Sequence, residues 1–337
     1  MSVPTDDISY ARAINRALRE AMEQDPNVLV MGLDVGRQGG VFGVTRGLLE
    51  TFGDERVIDA PISEAGYTGA AIGLAMEGFR PVVEMQFADF VTVAFDQIAT
   101  VAAKMFFLTE GRRRVPLVVR LPYGSSLLGD MYMSAAGPHH SQSPEAWFCH
   151  LAGVKVVMPC SSADAYGLLR SAIRDDNPVM FFEHKGLYHS HRSPVSPTEP
   201  SIPLGTAAIK HPGSDITVIA TGALVHTAVE LARQLEQESI SVEVLDPRTL
   251  VPLDRAAILD SVARTGRVVI THEAPLTGGY AAEIAALIAE HAFEQLRAPI
   301  KRVCARDMPV PTGNRAMGML PSAARLEAAI RSSLQLA

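Results

Sequence analysis

The chain lacks any excess of positive charge: 37 acidic against 30 basic side chains leave a net charge of −7. Nonspecific nucleic-acid binding needs a basic footprint, so that class is excluded. The imbalance is also too mild to mark an acidic tail. No run of about 18 apolar residues occurs, so no helix is expected to span a membrane. The N-terminal stretch MSVPTDDISYARAINRALRE has neither an apolar core nor a small-residue cleavage site, so no secretory leader is expected. Cysteine is scarce. Cys149, Cys160 and Cys304 match no zinc spacing, and an odd count leaves no full disulfide framework, which points to a reducing, cytoplasmic setting. The nucleotide fingerprints G-x-G-x-x-G and G-x-x-x-x-G-K-[ST] are missing too. Gly32-Leu-Asp-Val-Gly-Arg-Gln-Gly-Gly follows a strand pattern but has the wrong spacing, so ordinary loop glycines are favoured over an NAD-dependent dehydrogenase.

What is present is a globular α/β pattern. At 337 residues and 47% hydrophobic, the chain has room for about two domains with ample cores. Residues 8–24 carry apolar groups at helical spacing, with Asp6 or Asp7 available as a cap. Residues 66–78 (GYTGAAIGLAMEG) have small residues throughout and a terminal Gly78, the mark of a helix packed closely against something. Residues 94–107 and 163–174 are also helical. Strands are expected at Val28–Gly32, Arg56–Asp59, Pro81–Phe87, Val115–Arg120, Val154–Pro159 and Val179–Glu183. Such alternation argues for a mostly parallel sheet with helices on both faces. Residues 191–203 (HRSPVSPTEPSIP) hold four prolines and no periodicity, and read as a linker. The alternation then restarts, with strands near residues 216, 242, 267 and 300 and helices at 223–237, 253–264, 279–294 and 321–334. The division is therefore residues 1–190, a linker at 191–202, and a smaller domain at 203–337, both domains three-layer α/β units.

Three motifs carry potential chemistry. Glu64, in Pro61-Ile-Ser-Glu-Ala-Gly-Tyr, opens the small-residue helix. By position alone it reads first as a helix cap suited to the positive end of the dipole, and second as a catalytic carboxylate. His139-His140-Ser-Gln-Ser-Pro-Glu-Ala follows a long loop. A proton-transfer site, since histidine titrates near neutral pH, and an exposed loop with a cap at Ser141 or Ser143 stand level. His184, His189 and His191 read as solvated loop histidines rather than a metal tract.

The run GLDVG…GGVF.VT.GL…FG..RV.DAPISEAGYTGAAIGLAMEGFRPVVEMQFADF…AFDQI…AAK resembles the beta subunits of thiamine-diphosphate-dependent 2-oxoacid dehydrogenases. HHSQSPEAWF and RDDNPVMFFEHK extend the likeness, and LDPRTLVPLD, RTGRVVITHEA and GGYAAEIAALIAE carry it through the second half. It covers roughly residues 7 to 325, and the family includes pyruvate, branched-chain 2-oxoacid and acetoin dehydrogenases. It implies a transketolase-like pyrimidine-binding domain followed by a transketolase C-terminal-type domain that serves mainly in subunit packing.

The resemblance also assigns roles. Glu64 matches the glutamate that hydrogen-bonds the aminopyrimidine ring and so promotes the imino tautomer that deprotonates the thiazolium carbon. Phe90 matches an aromatic that stacks on the pyrimidine, and Ile62 and Gln86 match neighbouring cofactor contacts. His140 matches the histidine beside the substrate and the incoming lipoyl group and is assigned proton transfer in reductive acylation; His139 is the weaker candidate. Leu117, Ala172, Ile173, Asp175 and Asn177 match positions that hold potassium in some relatives. Oxygen ligation suits such a hard cation, and a plain helix-to-strand turn at RDDNP is the alternative.

Family members hold magnesium and the diphosphate through Gly-Asp-Gly followed later by Asn. Gly129-Asp130-Met131 breaks that motif. The resemblance therefore implies that a separate alpha subunit supplies the magnesium half, in an assembly of two alpha and two beta chains served by a lipoyl-bearing acyltransferase core. The implied reaction is oxidative decarboxylation of pyruvate or a branched-chain 2-oxoacid with acyl transfer to lipoyl groups. Acetoin cleavage is the near alternative. Retention of Glu64, Phe90 and His140 weighs against a non-catalytic scaffold subunit. GDMYMSAAGP, before the histidines, looks longer than in many members, and the end of the chain matches only loosely.

Overall fold

Residues 6–125, 136–196 and 200–335 are described by the structure, a computed structural model. The loop 126–135, which holds Gly129-Asp130-Met131, lies outside the described residues.

Strand β1 (Asp6–Ser9) leads directly into helix α1 (Tyr10–Gln24). The cap of α1 is Ser9, whose hydroxyl accepts from the Arg12 amide at 3.3 Å, rather than Asp6 or Asp7. Those aspartates lie in β1, which pairs antiparallel with β8, and their carboxylates meet Arg16 at 3.4 Å and Arg192 at 3.1 Å in place of the first helical amides. Along α1 the residues Ile14, Ala17, Leu18 and Met22 bury one stripe, and Arg16 pairs with Glu20 one turn on at 3.0 Å.

The chain continues through β2 (Val28–Gly32), α2 (Leu48–Phe52), β3 (Val57–Asp59), α3 (Glu64–Met76) and β4 (Arg80–Glu84). Gln97–Ala102 then winds as a π-helix into α4 (Ala103–Leu108), where a single α-helix was expected. The wider turns leave both Ile98 and Ala102 buried in the core that α3 also enters. There follow β5 (Val118–Tyr123), α5 (Glu145–Cys149), β6 (Lys155–Val157), α6 (Ser162–Arg174), β7 (Val179–His184) and β8 (Arg192–Val195). The proline-rich stretch is thus partly a strand: Pro194 sits on a two-stranded edge, a place where a missing N–H costs nothing.

The second half comprises β9 (Ala208–His211), β10 (Ile216–Ala220), α7 (Leu224–Glu236), β11 (Val242–Asp246), β12 (Thr249–Val251), α8 (Arg255–Thr265), β13 (Val268–Pro275), α9 (Ala281–His291), β14 (Lys301–Ala305) and α10 (Ala323–Leu334). Its sheet runs β14-β13-β10-β11-β9, parallel except for β9. Helices α7 and α10 cover one face, α8 and α9 the other.

The larger sheet runs β12-β6-β7-β5-β4-β2-β3. Six strands are parallel, and β12, from the second half, joins the edge antiparallel to β6. Helices α1 and α6 bury one face; α3, α4 and α5 bury the other. With both faces covered, the central strands read as continuous apolar runs, which is why they were visible in the sequence. One charged group interrupts them. Arg120 in β5 is fully buried, bonded through Nε and Nη2 to Glu183 at 2.7 Å each and through Nη1 to Glu84; Tyr188 donates to Glu183 at 2.6 Å. Burial raises the Glu84 carboxyl from its ordinary range, which Arg120 partly opposes. Among the described residues, no helix is long and apolar enough to cross a membrane.

Candidate active site at the strand ends

In an open parallel sheet, ligands are met at the carboxyl ends of the strands; Ile62, Glu64, Gln86, Phe90 and His140 fall there, whereas the residues nominated for potassium precede β5 and β7, at the opposite ends. Past β3, Ala60-Pro61-Ile62-Ser63 leads into α3. The Asp59 carboxylate accepts the Gly36 and Arg37 amides at 2.6 and 3.1 Å, tying the preceding loop to this end. Ile62 is 79% exposed. Ser63 makes no side-chain cap bond, so Glu64, the first helical residue, is the only acid at the positive end of α3. Glu64 is half-buried and, among the described residues, takes no ion-pair partner. Burial, with the charges of Glu64 and Glu84 added, pushes the Tyr67 hydroxyl well above its ordinary value.

Past β4 come Gln86, Phe87 and Phe90, all half-buried. The Phe87 and Phe90 rings stand at 6.0 Å, edge to face. The His140 ring packs against both, 4.6 Å from Phe87 and 5.5 Å from Phe90, nearly perpendicular to each. His139 is exposed beside it. The loop that carries His140 is held from three elements. Gly124, after β5, donates its amide to the Gln142 carbonyl at 3.0 Å. Asp89, after β4, accepts the Gln142 amide at 3.3 Å. Lys185, after β7, donates to the His140 carbonyl and lies 5.0 Å from the Phe87 ring centre.

Behind this loop the second domain forms the wall. Glu273 of β13 accepts the Ser125 amide and lies 2.6 Å from His184 Nε2. Despite its burial, the neighbouring His184 and these bonds hold the Glu273 carboxyl below its ordinary range. The histidines read as solvated therefore separate: His189 is exposed, but His184 is buried in this pair and His191 packs on His226 at 4.2 Å. Their sequence spacing gave no sign of partners that arrive from the second domain.

Glu64, past β3, is half-buried with no ion-pair partner among the described residues, a state that suits a ligand nitrogen, and Phe90, past β4, stands at the same end of the sheet. Among the described residues the one cluster with metal-like spacing is Cys160, Asp164 and Asp246. Lys210 and Arg248 already lie against Asp164, the latter at 2.8 Å, so protein cations neutralise it.

Leu117, Ala172, Ile173, Asp175 and Asn177 meet at the turn between α6 and β7. The Leu117 carbonyl accepts from Val179 at 2.8 Å and that of Ala172 from Asp175 at 3.2 Å. Arg80 donates to the Ile173 and Asp175 carbonyls at 3.1 and 3.2 Å, and Lys155 pairs with the Asp175 carboxylate. Asn177 donates its side-chain amide to Asp175 Oδ1 at 3.0 Å. Each carbonyl keeps a second lone pair, and the positive charge at this turn comes from Arg80 and Lys155.

Phe87, Asp89, Lys185 and Glu273 were not singled out from sequence. A lysine closing the buried run VMFFEHK was the available signal, since a charge at the carboxyl end of a parallel strand points into the ligand crevice.

The comparisons with known proteins fall on this frame. Residues 6–190 match the family "Transketolase, pyrimidine binding domain" and residues 205–324 match "Transketolase, C-terminal domain". The 2-oxoisovalerate dehydrogenase subunit beta of Bacillus subtilis is 44% identical over 96% of this chain and 98% of its own length. The pyruvate dehydrogenase E1 component subunit beta of Leifsonia xyli is 42% identical over 97% and 95%. A beta subunit of an acetoin:2,6-dichlorophenolindophenol oxidoreductase from Bacillus subtilis is 44% identical over 90% of each. Among solved structures, a split-gene transketolase in an inactive beta4 tetramer superposes with a TM-score of 0.79 at 22% identity, covering 98% of this chain and 99% of that one, which establishes the shared fold.

Proposed function

Because the chain belongs to the beta-subunit family of 2-oxoacid dehydrogenases, we propose that it pairs with an alpha subunit, two of each, to oxidatively decarboxylate a 2-oxoacid and pass the acyl group to a lipoyl arm. The observation that carries this is Glu64, a half-buried carboxylate without a protein partner at the head of α3. Thiamine diphosphate, when bound, supplies the electron sink for decarboxylation. Glu64 would hold the proton at the pyrimidine nitrogen, with Ile62, Gln86 and Phe90 as the walls for that ring. His140, packed against both Phe87 and Phe90, would deliver a proton to the thiolate that leaves when the lipoyl disulfide opens.

Magnesium would be held by the alpha subunit, since the described residues of this chain offer it no unpaired carboxylate cluster. Leu117, Ala172, Ile173, Asp175 and Asn177 are proposed as holders of a potassium ion. A lipoyl-bearing acyltransferase core is the proposed acceptor. A cytoplasmic setting is proposed from the free thiols of Cys149, Cys160 and Cys304. The substrate is proposed as pyruvate or a branched-chain 2-oxoacid. Acetoin is retained as a second reading because the acetoin-oxidoreductase relative shares the same 44% identity as the branched-chain one, over a somewhat shorter span. The domain division at 191–202 belongs to the same reading.

The test is reconstitution with an alpha chain from a relative. The isolated chain is expected to bind thiamine diphosphate weakly and to be inactive. The pair should turn over one of pyruvate, 3-methyl-2-oxobutanoate or acetoin. Tight, magnesium-dependent cofactor binding by this chain alone would sink the proposal.

A further inference from the structure

Lys185 has no part in the chemistry proposed above, yet it is only 6% exposed at the end of β7. Burying an ammonium is costly unless donors and counter-charges are met. One of its hydrogens goes to the His140 carbonyl, and its charge lies over the Phe87 ring against which the His140 imidazole packs. Two carboxylates act on it: Asp89, from the turn after β4, and Glu273, from β13 of the second domain. Asp89 itself grips the next amide but one along the loop, at Gln142. His184, the preceding residue and the last of β7, is engaged by Glu273 instead.

We propose that Lys185 is the positioning residue for His140, holding the imidazole at the strand ends through the His140 carbonyl and the Phe87 ring, with Asp89 and Glu273 as its counter-charges. This rests on the reading of His140 as the proton donor in acyl transfer. A point charge with several donors suits the task, because one group reaches both a carbonyl and a ring face. Burial pulls the lysine down to about 8, and the two carboxylates oppose the fall. The ammonium is therefore charged below that pH. As pH rises through about 8 it becomes neutral, and the charge-assisted bond to the loop weakens. An arginine would stay charged throughout.

The experiment uses the reconstituted complex with wild-type chain, Lys185→Met, Lys185→Arg and His140→Ala. Four quantities are read: acyl transfer to free lipoamide, decarboxylation with an artificial electron acceptor, amide hydrogen exchange of the peptide spanning 137–143, and the melting curve. Lys185→Met should slow acyl transfer about 10- to 100-fold more than decarboxylation and speed exchange in 137–143. Lys185→Arg should restore both and abolish the wild-type decline in acyl transfer above about pH 8. Wild-type exchange in the Met variant, equal loss in both assays, or an Arg variant that keeps the high-pH decline would overturn the proposal. If the Met variant fails to assemble, the pH profile of the Arg variant decides. If His140→Ala itself shows no split between the assays, the role of His140 falls and this proposal falls with it. A split in His140→Ala beside unsplit Lys185 variants removes Lys185 alone.

Discussion

At the head of α3 a single carboxylate fits two jobs, and Glu64→Gln separates them. Glutamine is nearly isosteric and can occupy the same helix start. A capping role therefore predicts a stability loss of roughly 1 kcal/mol or less with near-normal turnover. A role at the cofactor ring predicts that fold and assembly survive while hydrogen–deuterium exchange at the cofactor's reactive carbon drops by orders of magnitude, because an amide cannot exchange a proton with a ring nitrogen. We expect the second outcome; exchange at the wild-type rate would return Glu64 to the status of a cap. Half-burial of Glu64 without an ion-pair partner among the described residues favours the cofactor role over the cap. Glu64 and His140 were legible because each sits inside a long, ordered motif. Lys185 and Asp89 were not, because their meaning lies in contacts between strand ends that are distant in sequence. His184 was misjudged for the same reason, since its partner Glu273 is 89 residues away.

At the scale of elements, the sequence revealed most of what tertiary packing demands of a single segment. The buried strands β2, β4, β5 and β7 and the striped helix α1 came through because their periodicity is local. The elements that escaped depend on a neighbour. Strand β12 is three residues long and exists because β6 has an open edge, and β8 exists because β1 lies beside it. Two glycines turn this contrast into a prediction. Gly153 has φ +101°, and a Cβ there would meet the Ala103 carbonyl oxygen at 1.9 Å, where the turn before β6 presses on the start of α4. Gly153→Ala should cost at least about 2 kcal/mol, from strain and overlap together. Gly73, inside α3, has nothing within 4 Å of its would-be Cβ. The small-residue helix is therefore not packed closely against this chain at that position. Gly73→Ala should stabilise the isolated chain by about 0.5–1 kcal/mol. Urea midpoints of the two variants should move in opposite directions, and a shift of the same sign in both would refute the packing described here.

Across the whole molecule the two domains are interlocked rather than tethered. Strand β12 extends the larger sheet, Glu273 enters the wall behind the His140 loop, and Lys210 reaches from β9 to Asp164 of α6. Glu145 lies in this seam, 1% exposed, on a small cavity shared with Thr221, His272 and Tyr280. Burial raises its carboxyl to about 7 from an ordinary 4.5, with the Glu273 charge adding to the rise and the Ser143 hydroxyl opposing it. The sign follows from linkage. The folded chain keeps a proton that the unfolded chain releases between these values, so the stability from this group is complete at low pH and is lost as pH rises through about 7. At about 1.36 kcal/mol per unit, the swing is on the order of 3 kcal/mol. Glu145→Gln can still accept the Ser143 hydroxyl but carries no titrating proton. Its stability relative to the wild type should therefore improve by that order between about pH 5 and about pH 8.5. Urea unfolding of both chains at the two pH values measures it. A difference independent of pH would mean that the seam admits enough water to leave Glu145 with an ordinary carboxyl, and that the two domains are packed less tightly than their shared strand implies.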